Sequence, residues 1–194
     1  MFRPRRIPVL LLKGKGLVKT TKFKKPNYIG DPINAVKIFN DFKADELVFL
    51  DIEATKQKRI TPLETIKEIG EEAFMPFSVG GGIREIEDVR NIISAGAEKV
   101  VLNTIVVENP DFVTECSNLL GKQSIVVSID IGKTIFGKTK VFVEAGRKKT
   151  NFDPVEFAVN AESLNAGEII INSIENDGVM NGYDTDLIKS ISEA

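Results

Sequence analysis

The sequence has no histidine, no tryptophan and a single cysteine among its 194 residues. The lack of histidine excludes His-based acid–base chemistry, and a zinc site is not expected because His and Cys are its usual ligands. Cys116 alone cannot form an internal disulfide, which is typical of a protein in a reducing cytoplasm. We therefore expect a cytoplasmic protein that uses neither a metal nor another cofactor.

The sequence also lacks a large charge excess and a long apolar run. Its 26 Lys and Arg residues nearly balance 28 Asp and Glu residues, which gives a net charge of −2. Such a balance gives no reason to expect a nucleic acid or an anionic membrane as a partner. No run approaches the roughly 18 apolar residues of a membrane span, and the short run at residues 7–12 is interpreted as a buried strand rather than a signal peptide.

Short runs rich in Val, Ile and Leu alternate along the chain with amphipathic segments. The runs predict strands that are covered on both faces, and the segments have the spacing of a helix face. The predicted strands are residues 7–12, 46–51, 76–79, 99–102, 124–130 and 168–171. The predicted helices are residues 32–42, 63–72, 86–95, 112–120, 154–164 and 184–192, the first, second and fifth with N-caps at Asp31, Thr61 and Asp153. This alternation predicts an α/β protein with a parallel sheet.

An internal repeat favours a closed barrel over an open sheet. The segment DELVFLDI at residues 45–52 resembles AGEIIINSI at residues 166–174, an offset of about 120 residues. A duplicated half with four βα units makes a (β/α)8 TIM barrel. We expect one incomplete barrel domain over residues 1–194, with a first half-barrel at 1–120 and a partial second half-barrel at 121–194. About six βα units are present, so we expect a C-terminally truncated or split sequence.

Three consecutive glycines, Gly80, Gly81 and Gly82, follow one predicted strand and precede a predicted helix. Glycine lets the backbone approach an anion, and free N–H groups at a helix start bind phosphate, so the loop predicts a phosphate site. A tight turn is the alternative. Asn103 and Thr104 end the next predicted strand, where their side chains could bind the same phosphate. The loop lacks the GxGxxG pattern, so no dinucleotide is inferred.

Two aspartates end predicted strands. Asp130 closes IVVSID and Asp51 closes LVFLD. A carboxylate at the C-terminal end of a barrel strand is more often catalytic than not, and the alternative is a cap or loop acceptor. By the internal repeat, the matching position of the first strand is Leu11, which has no titratable group.

Two loops offer further anion contacts. Residues 13–25 contain six lysines, among them Lys19, and their charge alone indicates a flexible solvated loop. Over an anion site the same segment would be a lid whose lysines contact phosphate. Asp177 and Gly178 mark a turn after the sixth predicted strand, and that loop is interpreted either as a second anion site or as a mobile loop.

Four charged residues lie at the starts of strands: Arg5, Glu46, Lys99 and Glu168. On a barrel they would gather at the N-terminal mouth, where opposite signs allow a salt-bridged ring. Ordinary surface charge is the alternative, and without further information it is favoured.

Several segments carry a resemblance to a known family: RRIPVLLLKGKGLVKTTKF, DELVFLDI, PFSVGGGIR, AEKVVLNT, VVSID and GEIIINSIENDGVMNGYDTDLI. Over the whole chain they resemble HisF, the cyclase subunit of imidazole glycerol phosphate synthase, and its relative HisA. The resemblance implies a (β/α)8 barrel that receives ammonia from a glutaminase, HisH, in a heterodimer. It also implies a lyase reaction of histidine biosynthesis, in which the phosphorylated substrate PRFAR yields imidazole glycerol phosphate and AICAR.

The resemblance assigns roles to individual residues. Asp130 matches one of two catalytic aspartates. Gly82, Asn103 and Thr104 match one phosphate site, and Asp177 and Gly178 match part of the other. The four charged residues at the starts of strands match the gate through which ammonia enters the barrel. Lys19 and Asp51, with Gly80 and Gly81, complete our candidate substrate-binding residues.

Leu11 departs from the family pattern, because the second catalytic aspartate belongs there. An acid–base group typically contributes about 10²–10⁴-fold to rate, so ordinary cyclase activity is not expected. The segments around residues 9–23 and 27–40 resemble HisF paralogues of surface-polysaccharide clusters, which implies a HisH-like glutaminase and a sugar amidotransferase that makes acetamidino sugars as partners. The alternative is an inactive scaffold subunit that docks and activates a glutaminase.

Overall fold

The computed structural model describes residues 4–194, and strands and helices alternate through them. The chain forms two compact units. The first comprises the chain up to Lys19 together with Asn27–Val101, and the second comprises Thr20–Pro26 together with Leu102–Ala194. Each contains parallel strand pairs, so the prediction of an α/β protein with a parallel sheet is confirmed. The closed barrel and the division at residue 120 stay predictions, and residues 1–3 of the predicted domain lie outside the described part.

The first part of the chain has the strands β1 (Val9–Lys13), β2 (Gly16–Thr21), β3 (Lys24–Gly30), β4 (Leu47–Asp51), β5 (Phe77–Gly80) and β6 (Lys99–Leu102), and the helices α1 (Pro32–Asp41), α2 (Ala54–Gln57), α3 (Leu63–Glu72) and α4 (Ile86–Ser94). The residues of β2 and β3 are divided between the two units. A parallel series of strands runs from β1 through β4 and β5 to β6, and β2 pairs with β1 in the antiparallel direction. Phe49 and Phe77 meet edge to face in the core, with ring centroids 6.2 Å apart.

The second unit has the strands β7 (Ile125–Lys133), β8 (Thr139–Val143), β9 (Lys148–Lys149) and β10 (Glu168–Ser173), and the helices α5 (Thr104–Glu108), α6 (Asp111–Leu120), α7 (Pro154–Ser163) and α8 (Thr185–Ser192), with a 3-10 turn at Lys122–Ser124. Strand β7 pairs in parallel with β10 and in the antiparallel direction with β8. Eight consecutive residues of β7 are buried, as expected for a strand covered on both faces.

Two of the three predicted helix caps are confirmed. The side chains of Asp31 and Asp153 accept hydrogen bonds from the first backbone N–H groups of α1 and α7, each of which begins with proline. The prediction for Thr61 is wrong, because its buried hydroxyl donates to the carbonyl oxygen of Gly80 instead, at 3.2 Å. Helix α3 is preceded by Pro62 and has no side-chain cap.

The interpretation of residues 13–25 as a flexible loop is wrong. This segment forms β2 and the start of β3, and Lys19 is an exposed residue of β2. The turn between the strands is made by Lys22 and Phe23, both in the left-handed region with φ of 54° and 57°. Hairpin turns of this kind usually carry Asn or Gly, so the sequence lacked the ordinary signal. None of the helices in residues 4–194 has the length and apolar character needed to cross a bilayer.

Candidate active site

Asp130 lies towards the C-terminal end of β7, and only 6% of its surface is exposed. Two side-chain amides contact its carboxylate. Asn172 of β10 donates to Oδ1 at 3.0 Å, and Asn103, just before α5, donates to Oδ2 at 3.3 Å. Each carboxylate oxygen therefore accepts one hydrogen bond from a neutral donor.

Ser128, two residues before Asp130 on β7, contacts the same two amides. The Nδ2 of Asn103 donates to the carbonyl oxygen of Ser128 at 2.8 Å, and the Nδ2 of Asn172 donates to its Oγ at 3.0 Å. An asparagine amide nitrogen carries two hydrogens, so each Nδ2 can serve both of its acceptors at once.

Burial raises the pKa of Asp130 from 3.8 to about 6, and the hydrogen bonds from Asn172 and Asn103 oppose that rise. Desolvation disfavours the charged carboxylate, whereas donors that contact the charged form favour it. A carboxyl group with a pKa near 6 can both accept and release a proton close to neutral pH, which is the property required of a general acid or base.

Asn172 was not among the predicted site residues. It interrupts the apolar run of β10, and the register places it directly opposite Asp130. A polar residue in an otherwise apolar strand is a usable signal, but its partner is known only once the pairing of β7 with β10 is known. Asn103 was predicted as a phosphate ligand. Its oxygen accepts from the Thr104 hydroxyl at 3.3 Å, and that hydroxyl accepts from the backbone N–H of Glu144 at 3.1 Å.

Asp51 ends β4 as predicted, and its contacts are those of a loop acceptor. Its Oδ1 accepts from the backbone N–H groups of Glu53 and Ala54, at 2.9 and 3.2 Å. Its Oδ2 forms an ion pair with Arg59, whose guanidinium also donates to the carbonyl oxygen of Ile60. The pair fixes the loop after β4, and Arg59 is a residue that sequence reasoning missed.

The three glycines at the end of β5, of which Gly80 is the last strand residue, are required by close packing. A Cβ on Gly80 would lie 2.8 Å from the Cβ of Val101, and one on Gly81 would lie 2.7 Å from the carbonyl oxygen of Asp51. A Cβ on Gly82 would overlap the carbonyl group of Arg59. Helix α4 begins at Ile86, as predicted, and Asp88 accepts the backbone N–H groups of Arg84 and Glu85 just before it.

Asp177 and Gly178 join the loop after β10 to the β2–β3 turn within the second unit. The carboxylate of Asp177 accepts from the hydroxyl of Thr20 at 2.7 Å and from the backbone N–H of Phe23 at 2.8 Å. Its carbonyl oxygen accepts from the backbone N–H of Lys22 at 3.0 Å. Gly178, with φ of +68°, packs against the Thr20 carbonyl, where a Cβ would overlap.

Three of the four predicted gate residues, Arg5, Glu46 and Lys99, belong to the first unit. Glu46 lies between the other two and is 3% exposed. Its Oε2 accepts from Lys99 at 2.8 Å and from Arg5 at 3.2 Å, and its Oε1 accepts from the hydroxyl of Ser78 at 2.7 Å. Ordinary surface charge therefore does not describe Glu46 and Lys99. Glu168 begins β10 of the second unit.

Leu11 lies on β1, where it pairs with Leu50 of β4 and Val18 of β2. These strand neighbours are apolar. In residues 4–194, no three acidic or cysteine side chains come together as candidate ligands of a metal ion.

The comparisons with known proteins agree on one family. The sequence profile described as "Histidine biosynthesis protein" matches residues 5–194. The chain is 48% identical over 189 residues to the "Putative imidazole glycerol phosphate synthase subunit hisF3" of Vibrio vulnificus, covering 97% of this chain and 73% of the relative. It is 44% identical over 192 residues to the corresponding hisF2 protein of Pseudomonas aeruginosa, covering 99% and 76%. It is 40% identical over 194 residues to the "Imidazole glycerol phosphate synthase subunit HisF" of Alkaliphilus metalliredigens, covering 100% and 77%.

Proposed function

The chain belongs to the histidine biosynthesis protein family, and from this premise we propose that it is a HisF-type subunit that uses ammonia on a phosphorylated substrate. The observation that carries the proposal is Asp130: a buried carboxyl group near a strand end, contacted by two amides, with its pKa raised to about 6. Such a group can transfer a proton during ring closure, or during amidation of a sugar, without a metal or another cofactor. The fold that accompanies this function is the (β/α)8 barrel of HisF and HisA.

Asp130 is the catalytic residue of the proposal. Replacing it with Asn keeps the shape of the side chain and removes the titratable group. We expect Asp130→Asn to lower ammonia-dependent turnover by about 10²–10⁴-fold. Asp111→Asn, at the exposed start of α6, is the matched control and should turn over like the parent. Equal turnover of Asp130→Asn and the parent would remove Asp130 from the reaction.

The phosphate sites are proposed for each unit separately. In the first unit, the backbone of Gly80, Gly81 and Gly82 is proposed to bind phosphate with Asp51 holding the loop and Lys19 as a candidate ligand. In the second unit, Asn103 and Thr104 are proposed as contacts of one substrate phosphate, and Asp177 and Gly178 as contacts of the other. The side chains of Asn103, Thr104 and Asp177 already form hydrogen bonds within the protein, so backbone N–H groups are the donors that we expect a phosphate to use.

Substitution is a poor test of the glycine loop, since close packing alone explains each glycine. Gly82→Asp should abolish sugar-phosphate binding, but it would also collide with Arg59. The sharper test leaves the chain unchanged and follows the backbone N–H signals of residues 80–82 and 103–105 by NMR during titration with ribose 5-phosphate. Saturable shifts at these groups, absent with ribose, support the proposal. Equal responses to both ligands would contradict it.

The ammonia acceptor is proposed to be a sugar derivative rather than PRFAR, because Leu11 stands where the family has its second catalytic aspartate. The chain would then serve surface-polysaccharide biosynthesis, together with a sugar amidotransferase. The test supplies ammonium salts and PRFAR to the purified chain and measures imidazole glycerol phosphate and AICAR. Turnover at a rate typical of the family would overturn the sugar assignment. Gain of turnover in Leu11→Asp alone would support it.

A glutaminase of the HisH type is the proposed partner, bound at the end of the first unit where Glu46, Lys99 and Arg5 meet. Glu168, which begins β10 of the second unit, stays a predicted gate residue. Leu11, which has no titratable group, also supports a second candidate function. The chain would then be a scaffold subunit that docks and activates the glutaminase without chemistry of its own. Normal glutaminase stimulation by Asp130→Asn, together with no ammonia-dependent product from the parent, would favour the scaffold.

A further inference from the structure

Asn172 stands opposite the proposed catalytic carboxylate and was assigned no role by the function proposed above. We infer that Asn172 is a positioning residue for Asp130: together with Asn103, it holds the carboxylate in one orientation and in the form that accepts a proton. The inference rests on the proposed function only in taking Asp130 as the acid–base group. The contacts themselves do not depend on that assignment.

The donors are arranged so that both oxygens of Asp130 are occupied. Asn172 donates to Oδ1 at 3.0 Å and Asn103 donates to Oδ2 at 3.3 Å. An ionised carboxylate is an acceptor only, whereas a protonated one must direct its own hydrogen away from one of these donors. Two amide donors therefore stabilise the ionised form and resist rotation of the carboxylate.

Ser128 contacts both amides, and its carbonyl oxygen, which can only accept, fixes the direction in which the Asn103 amide faces. Its carbonyl oxygen accepts the second hydrogen of Asn103, and its hydroxyl oxygen accepts the second hydrogen of Asn172. Turning the Asn103 amide by half a rotation would place its oxygen against both a carbonyl oxygen and a carboxylate oxygen. The surroundings of the Asn103 amide therefore decide that its nitrogen, and not its oxygen, faces Asp130.

The backbone adds rigidity to this arrangement. Asn172 and Asp130 are direct partners in the parallel ladder between β10 and β7, which continues for six residue pairs. Groups held on paired strands are positioned more accurately than groups on loops. Asn172 thus carries its amide on the same rigid element pair that carries the carboxylate.

Burial and the two amides account for the protonation behaviour of Asp130. The charged groups nearest in sequence to its register are Lys133 on β7, Lys140 on β8, Glu144 just after β8 and Glu175 just after β10. Glu175 accepts from the backbone N–H of Lys133, and Glu144 pairs with Lys148. Helices α6 and α7 contribute buried residues of which only Cys116 is titratable, and burial raises its pKa to about 12.

The experiment measures the titration of Asp130 directly, so it needs no substrate. Chain labelled with ¹³C at aspartate carboxyl carbons is titrated by NMR, and the Asp130 signal is identified by its loss in Asp130→Asn. The parent should show a midpoint near pH 6. Asn172→Leu keeps a side chain of similar size and removes the donor, so the midpoint should rise by about one unit.

Two variants act as controls of mechanism. Asn172→Gln keeps an amide and should recover part of the shift. Asn160→Ala, at an exposed position of α7, makes an asparagine replacement elsewhere in the same unit and should leave the midpoint unchanged. Should Asn172→Leu not fold, Ser128→Ala takes its place, because it removes the hydroxyl that orients the Asn172 amide. We expect it to raise the midpoint by a smaller amount.

The outcomes separate this inference from the proposed function. An unchanged Asp130 midpoint in folded Asn172→Leu, or in Ser128→Ala if the former does not fold, overturns the positioning role. A raised midpoint supports it even if Asp130→Asn leaves turnover unchanged, which would refute only the catalytic assignment. Where turnover is measurable, the acidic limb of the kcat profile should move to higher pH by the same amount in Asn172→Leu, with a smaller change in KM.

Discussion

Asp130 couples the stability of the protein to pH. Its pKa rises from 3.8 to about 6 because the folded chain buries it. Between these values the folded chain keeps a proton that the unfolded chain has released, so unfolding becomes easier as pH rises. The favourable contribution is complete below about pH 4 and is lost by about pH 6, and a shift of about two units corresponds to about 3 kcal/mol.

We therefore expect urea unfolding to show the parent losing up to about 3 kcal/mol relative to Asp130→Asn between pH 4 and pH 7. The comparison uses the change with pH, because the substitution also alters contacts with Asn103 and Asn172 at every pH. Asp111→Asn corrects for the loss of one carboxylate at an exposed position. A difference between parent and Asp130→Asn that stays constant across this range would contradict the coupling.

Gly82 tests the packing of the glycine loop. It has φ of +73°, and a Cβ there would overlap the Arg59 carbonyl, whereas Gly137 has φ of +76° with nothing within 4 Å of a Cβ. Gly137→Ala should cost about 1 kcal/mol of unfolding free energy through backbone strain alone. Gly82→Ala should cost about 3 kcal/mol or more, because the loop must also move. Equal losses in urea unfolding would show that the loop relaxes freely.

At the level of elements, the β2–β3 turn is tethered by Asp177. We expect Asp177→Ala to release the turn, because hydrogen bonds from Thr20 and Phe23 to its carboxylate are lost. Hydrogen bonds to a charged group are worth about 1.5–3 kcal/mol each, so local opening should rise by tenfold or more. Limited trypsin digestion reports this directly, since three lysines lie within residues 22–25. Asp186→Ala, in the first turn of α8, should be cut no faster than the parent, and resistance of Asp177→Ala would contradict the tether.

The sequence predicted the parallel strands because strands buried on both faces are unbroken apolar runs, and β6 was predicted with the observed bounds. Strand β3 could not be predicted, since six of its seven residues are exposed and it contains three polar or charged positions in place of an apolar run. In the site, Asp130 was visible in the sequence as a carboxylate in an apolar strand, but the prediction that the strand ends there is wrong, because β7 continues to Lys133. Asn172 and Arg59 were not visible, because each acquires meaning only from a partner that folding brings near: Asp130 across the ladder and Asp51 across a loop.

At the level of the whole molecule, the buried Glu46 cluster is the proposed docking site for a glutaminase. Lys99→Glu would set a second carboxylate beside Glu46 and should abolish copurification with a HisH-type glutaminase from the same genome. Arg5→Glu reverses a charge whose side chain is 51% exposed, so it should weaken pairing with less cost to folding. Circular dichroism and urea unfolding show whether each variant is folded.

Lys133→Glu is the control for this surface, because it reverses a charge at the opposite end of a strand. It should pair with the glutaminase and stimulate it like the parent. If folded Lys99→Glu and Arg5→Glu also pair and stimulate normally, the gate assignment is wrong. Loss of pairing in all three variants would point to a general effect of charge rather than to this cluster.

The close approach of Gly82 to Arg59 joins two loops that leave different strands of the first unit. A residue inserted into either loop would have to be matched by a change in the other, so neither can lengthen alone. The β7–β8 hairpin has a different character, because Ile135 is fully exposed and Phe136 is 90% exposed at its tip. In evolutionary terms, we expect the packed glycine loop to tolerate few substitutions, whereas the exposed hairpin tip can accept new contacts at little cost to folding.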